Sequence, residues 1–150
     1  MCIRDIKDPM TETLSDNQHL ETGRIGEEQA VLFLKKRLFT IIDRNYWKKW
    51  GEIDIVAKNK PARQPGGGCL HFIEVKTVTR ETLGVGKAED YEPEDNLHHK
   101  KRARLKRVIQ TYLLDKKVPE EQDWQIDVIS VYLNPDGGVT KIDYLEDVIL

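Results

Sequence analysis

The chain has 150 residues, 39% of them hydrophobic and 33% charged, with a formal net charge of −2. This suffices for one domain with a real core, and the charge balance gives no general attraction to nucleic acid, so any such affinity must come from local placement of charge. Two cysteines are too few to suggest a disulfide framework. The absence of a basic start with an apolar run, and of any membrane-length apolar segment, points to a soluble, cytoplasmic protein with no membrane partner.

Residues 1–22 have little apolar content, mixed charge and Pro9, and are expected to form a flexible tail, leaving 23–150 as a single domain. Residues 23–37 predict an amphipathic helix with apolar positions at Ala30, Val31 and Leu34, and one turn earlier the same stripe meets Glu27. Glu27 either complements the dipole of a first turn, as Glu28 also would, or is carried inward with the apolar face.

Strands are expected at 39–45, 51–58 and 69–79. The second and third carry acids inside β-branched runs, Gly51-Glu52-Ile53-Asp54-Ile55-Val56 and Leu70-His71-Phe72-Ile73-Glu74-Val75-Lys76-Thr77-Val78. A charge buried in such a run needs a partner or a task. Glu74 and Lys76, two apart on a strand, share a face. Asp54 lies twenty residues before Glu74, a separation that a hairpin can close. Two carboxylates for Mg²⁺ or Mn²⁺ with a Lys beside them suit metal-assisted phosphodiester hydrolysis. The alternative is that Glu74 and Lys76 decorate the solvated face of a half-exposed strand. Residues 61–68 read as a surface loop between these strands.

A last helix is expected over 97–117, with Leu105, Val108, Ile109, Tyr112 and Leu113 as its buried stripe and Lys101 four residues before it. From Lys100 to Arg107 there are six basic residues and no acid. Such a run is a solvated face or, next to a metal site, a phosphate clamp of salt-dependent, sequence-indifferent affinity, with Lys100, Arg104 and Arg107 as contacts. Tyr46-Trp47-Lys48-Lys49-Trp50 interleaves rings with Lys48 and Lys49; the rings either stack on unpaired bases or cap the core. Glu89-Asp90-Tyr91-Glu92-Pro93-Glu94-Asp95 is an acidic loop that is solvated or shields the site. Strands over 124–133 and 138–145, joined through Asn134-Pro135-Asp136-Gly137-Gly138, complete a three-layer α/β arrangement around a mixed sheet.

Zinc is not expected, because His71 alternates to the face opposite Glu74, His19 is in the tail, and the neighbouring His98 and His99 cannot share a metal from one helix. Cys69 reads as a small buried thiol.

Gly26-Glu27, Ala30, Leu34, Asn45, Gly51-Glu52-Ile53-Asp54, Phe72-Ile73-Glu74-Val75-Lys76-Thr77, Lys101, Leu105, Tyr112-Leu113 and Asp127-Val128 together resemble the YraN family of small bacterial proteins. This family is placed in the PD-(D/E)xK nuclease superfamily. The resemblance implies a restriction-endonuclease-like fold, with a central mixed sheet flanked by helices, like that of archaeal Holliday-junction resolvases. It implies Asp54 and Glu74 as metal ligands, Glu27 as the helix acid completing the site, Lys76 as the catalytic lysine, and Lys101 as the later lysine. The chain departs from the family at Val78 and Trp47, where an Arg is usual, and those departures touch substrate contacts rather than metal binding.

The expected function is a metal-dependent endonuclease acting on branched, flapped or single-stranded DNA. Two alternatives are a nucleic-acid-binding or repair-complex adaptor that keeps the fold without catalysis, and an interaction module with a buried ionic network. A homodimer is left open.

Overall fold

The computed structural model describes residues 9–59, 68–79 and 99–148, with side chains from residue 20 onward except at 99 and 100. Its elements are α1 (Pro9–Lys36), β1 (Phe39–Lys48), β2 (Gly51–Asn59), β3 (Leu70–Val78), α2 (His99–Asp115), β4 (Trp124–Leu133) and β5 (Val139–Leu145). The acidic stretch 89–95, the His19 side chain, His98 and all but the end of the 61–68 loop lie outside the described part.

The strands form one five-stranded sheet in chain order, antiparallel throughout except for β3 against β4. Parallel neighbours require the chain to cross a face of the sheet between them, and α2 lies in that connection. Ala30, Val31 and Leu34 of α1 pack with Ile55, Ala57, Ile73, Ile129 and Val131 on one face. Leu105, Val108, Ile109 and Tyr112 of α2 pack with Ile53, Val56, Leu70, Phe72 and Ile126 on the other. The fold is therefore three-layered α/β with a mixed sheet, consistent with a restriction-endonuclease-like architecture. No helix among the described residues is long and apolar enough to cross a membrane.

One difference concerns α1, which begins at Pro9, inside the segment expected to be a tail. Low apolar content is a poor guide there, because an exposed helical turn rests on propensity and not on burial: Leu20 remains 68% exposed. Pro9 at the first position has no amide for the helix to miss. Since the helix starts so early, Glu27 and Glu28 sit in its interior, and their reading as first-turn acids is excluded. Glu28 instead pairs with Arg44 at 2.9 Å.

Near the start of β4, on the face covered by α1, Asp127 is fully buried. It accepts hydrogen bonds from His71 Nδ1 and the Tyr144 hydroxyl at 2.5 Å, and from Gln125 Nε2 and the Asp147 amide at 2.9 Å. His71 thus faces away from Glu74, as alternation required. Cys69 is only partly buried, with Sγ 3.6 Å from Gln125 Oε1.

Candidate active site

The β2–β3 ladder runs from Lys58–Leu70 to Ile55–Ile73 and ends there, whereas β1–β2 pairing continues to Lys48–Gly51. The β1–β2 hairpin consequently parts from β3. Just past the last pair, the Val75 amide donates to Asp54 Oδ2 at 2.8 Å. A carboxylate has replaced the carbonyl that a regular ladder would offer, so Asp54 is fixed where the strands diverge. Strand alternation also breaks at this point: Ile53 lies in the α2-side core and Ile55 in the α1-side core, although residues two apart should share a face. Asn45 lies between the Arg44–Ile55 and Tyr46–Ile53 pairs with φ at 52°. Asn is among the residues that tolerate this left-handed conformation best. The resulting crevice, about 610 Å³, is lined by Gly51, Glu52, Asp54, Glu74, Val75, Lys101, Arg104 and Leu105.

Two glycines let the helices close on it. A Cβ on Gly26 would overlap Thr77 Oγ1, so the missing side chain is what brings α1 against the end of β3. The next residue, Glu27, receives a hydrogen bond from the Asn45 amide and is close enough to Asp54 for the two charges to repel. On the other face, a Cβ on Gly51 would stand 3.1 Å from the Arg104 carbonyl oxygen, so α2 approaches the β2 backbone closely. From α2, Lys101 Nζ reaches Glu74 Oε1 at 2.5 Å. The ammonium end stays wet, since the Lys101 side chain is 55% exposed against 13% for Glu74.

Burial, followed by the charges of Glu27, Glu52 and Glu74, pushes the Asp54 carboxyl up to about 7 against the pull of the Val75 amide. Burial and the nearby Glu52 also raise Glu27, with Asn45 opposing. Lys76 is lowered, by burial first and by Lys101, while Glu74 works against that. Four carboxylates and two lysines therefore sense one another across the end of the sheet.

The oxygen donors have the chemistry of a Mg²⁺ or Mn²⁺ site. Glu74 Oε2 is buried with no hydrogen-bond partner, and Asp54 is penalised by neighbouring negative charge. A divalent cation would relieve both. As they stand, however, no three His, Cys, Asp or Glu side chains among the described residues converge tightly enough to grip an ion, and Lys101 holds the other Glu74 oxygen. The donors fit the ion by their chemistry.

Of the basic residues, Arg104 lines the crevice, while the Lys100 side chain lies outside the described part. Arg107 places its guanidinium 4.7 Å from the centre of the Trp50 ring. Lys48 Nζ lies 5.4 Å from the Tyr46 ring centre, and Lys49 is exposed in the β1–β2 turn. The sequence assigned no role to Glu52 or Asn45. Both were visible in it, one in the same short motif as Asp54 and the other as a left-handed-tolerant residue in mid-strand.

Residues 26–131 match the family described as Uncharacterised protein family UPF0102. The chain belongs to this family. Curated UPF0102 relatives include a Dictyoglomus turgidum protein, 34% identical over 83% of this chain and 93% of the relative. Others come from Desulforamulus reducens, 30% identical over 88% and 98%, and Geotalea daltonii, 35% identical over 91% and 93%. UPF0102 is the YraN family that the two acid motifs resemble, within the PD-(D/E)xK superfamily. The matched span contains Glu27, Asn45, Asp54, Glu74, Lys76 and Lys101. The relatives' names state no activity, so the chemistry has to be argued from the site.

Proposed function

We propose that this chain is a metal-dependent endonuclease that hydrolyses phosphodiester bonds in structured DNA, branched, flapped or single-stranded. The observation that carries the reading is Glu74: one buried oxygen lacks a partner, the other meets Lys101, and Asp54 and Lys76 stand beside it. A bound Mg²⁺ or Mn²⁺ would supply Lewis-acid stabilisation of the phosphate and a more acidic water. Asp54 and Glu74 would hold it, with Glu27 as a third acid from α1. Lys76, its proton loosened by burial and by Lys101, would orient the attacking water and offset charge on the scissile phosphate. Lys101 would exchange its hold on Glu74 for the developing phosphorane charge. Lys100, Arg104, Arg107, Lys48 and Lys49 would meet backbone phosphates without reading sequence.

The adaptor reading draws on a different observation, the ion pair that already occupies Glu74 Oε1. One assay separates the two: labelled flapped, branched and single-stranded DNA with Mg²⁺ or Mn²⁺, wild type beside Asp54→Ala. Cleavage by wild type alone supports the nuclease. DNA binding without cleavage by either protein supports the adaptor, and cleavage by both would place the activity elsewhere.

A further inference from the structure

The β1–β2 hairpin carries two tryptophans with opposite fates. Trp50 packs against the α2-side core and lies beneath the Arg107 guanidinium. Trp47 is 67% exposed, and none of the ring contacts among the described residues involves it. An exposed ring alone would mean nothing, but its position is specific. Trp47 pairs in register with Glu52, which lines the crevice, and Lys48 and Lys49 follow it in the chain. Pairing to Lys48–Gly51 and the seated Trp50 make this tip rigid. An indole has only two side-chain torsions to freeze, so a preset platform near the exposed Lys49 can order a flat ligand with little entropy loss.

We infer that Trp47 is a stacking platform for an unpaired nucleobase of a strand whose backbone enters the adjacent crevice. Stacking uses a π-face that every base presents, and so it is indifferent to sequence. A duplex keeps its bases stacked internally and offers no free face, so Trp47 selects for unpaired segments. Lys49, exposed in the turn beyond Trp47, suits a phosphate next to such a base and would repel a basic peptide, while Lys48 points with Tyr46 to the other face of the strand. The inference rests on the nuclease reading only in taking nucleic acid as the ligand; it requires no cleavage.

The test is fluorescence anisotropy on the full chain in EDTA with four short labelled probes: a deoxyribose strand, the same strand made abasic, its duplex, and the ribose strand. Wild type should prefer the base-bearing single strands. Trp47→Ala should weaken binding of those strands about tenfold and leave the abasic strand and duplex unchanged, and Trp47→Phe should recover most of the loss. A loss on either the deoxyribose or the ribose strand supports the platform. If Trp47→Ala binds every probe like wild type, or weakens all alike, the platform is wrong while nucleic-acid binding stands. If wild type binds no probe, the platform falls, and the cleavage assay with Mg²⁺ or Mn²⁺ decides the nuclease reading by itself. If Trp47→Ala turns a dimer into a monomer in sedimentation, the ring is a self-association contact and the inference is overturned.

Discussion

Asp54 and Asp127 are both acids within the strands of one sheet, and their surroundings are opposite. At Asp127, burial alone would raise the carboxyl, but hydrogen bonds from His71, Tyr144, the Asp147 amide and Gln125 outweigh it and hold the group below its ordinary range. Asp54 has one amide donor and three acids nearby, and it is pushed up to about 7. Donors close around the first carboxylate, and acids crowd the second. The sheet therefore shows what a carboxylate kept for structure looks like here, and Asp54 departs from it in the direction a cation would correct.

The sharpest way to break this contrast is to neutralise each acid in turn. Asp54→Asn or Glu74→Gln should lower metal-dependent cleavage by at least about a thousandfold, some 4 kcal/mol of barrier, in single-turnover assays. Asp127→Asn should leave cleavage per folded molecule near wild type. Stability should respond the other way. Asp127→Asn strands donors around a fully buried position and should lose about 2–4 kcal/mol in urea denaturation.

Asp54→Asn should stabilise the metal-free protein. The Asp54 pKa is raised on folding, from 3.8 to about 7, so the folded state binds the extra proton between those values. Its contribution is fully present below about pH 4 and is lost as pH rises through about 7. The stability difference between Asp54→Asn and wild type in EDTA should thus be near zero at pH 4 and grow to on the order of 2 kcal/mol by pH 8. A flat difference across that range would show that Asp54 is no more strained than a surface acid.

Smaller effects should come from the supports. Gly26→Ala forces a methyl into Thr77 and should cost about 1–2 kcal/mol, with cleavage falling further as Glu27 is displaced, and Thr77→Ala in the same chain should restore part of both. Lys101→Ala should reduce turnover more than DNA affinity, because the lysine meets Glu74, while Arg104→Ala should weaken affinity modestly and flatten its salt dependence by about one unit. Identical behaviour of the two variants would remove the special role of Lys101.

The elements and the main acids were legible because each broke a pattern. Glu27 and Lys101 extend apolar helical stripes, and Asp54 and Glu74 interrupt apolar strands. The layering followed from the helix between β3 and β4. Glu52 was harder, since a polar residue two before Asp54 looks like ordinary alternation, and only the reversal of faces at Ile53 and Ile55 reveals that the strand turns there. The Asp127 cluster was invisible for another reason: His71, Gln125 and Tyr144 meet it across strands whose neighbours are known only once the sheet is assembled. The early start of α1 was missed because burial was used where propensity decides.

The hydrogen bond from the Val75 amide to Asp54 also makes the site observable without any substrate. An amide proton bound to a carboxylate resonates differently when that carboxylate takes up a proton or a cation. One backbone cross-peak, followed in nitrogen–proton spectra through titrations with acid and then with Mg²⁺, would give the protonation curve and ion occupancy of Asp54 directly. The end of the β2–β3 ladder is thus a built-in probe of the crevice it opens.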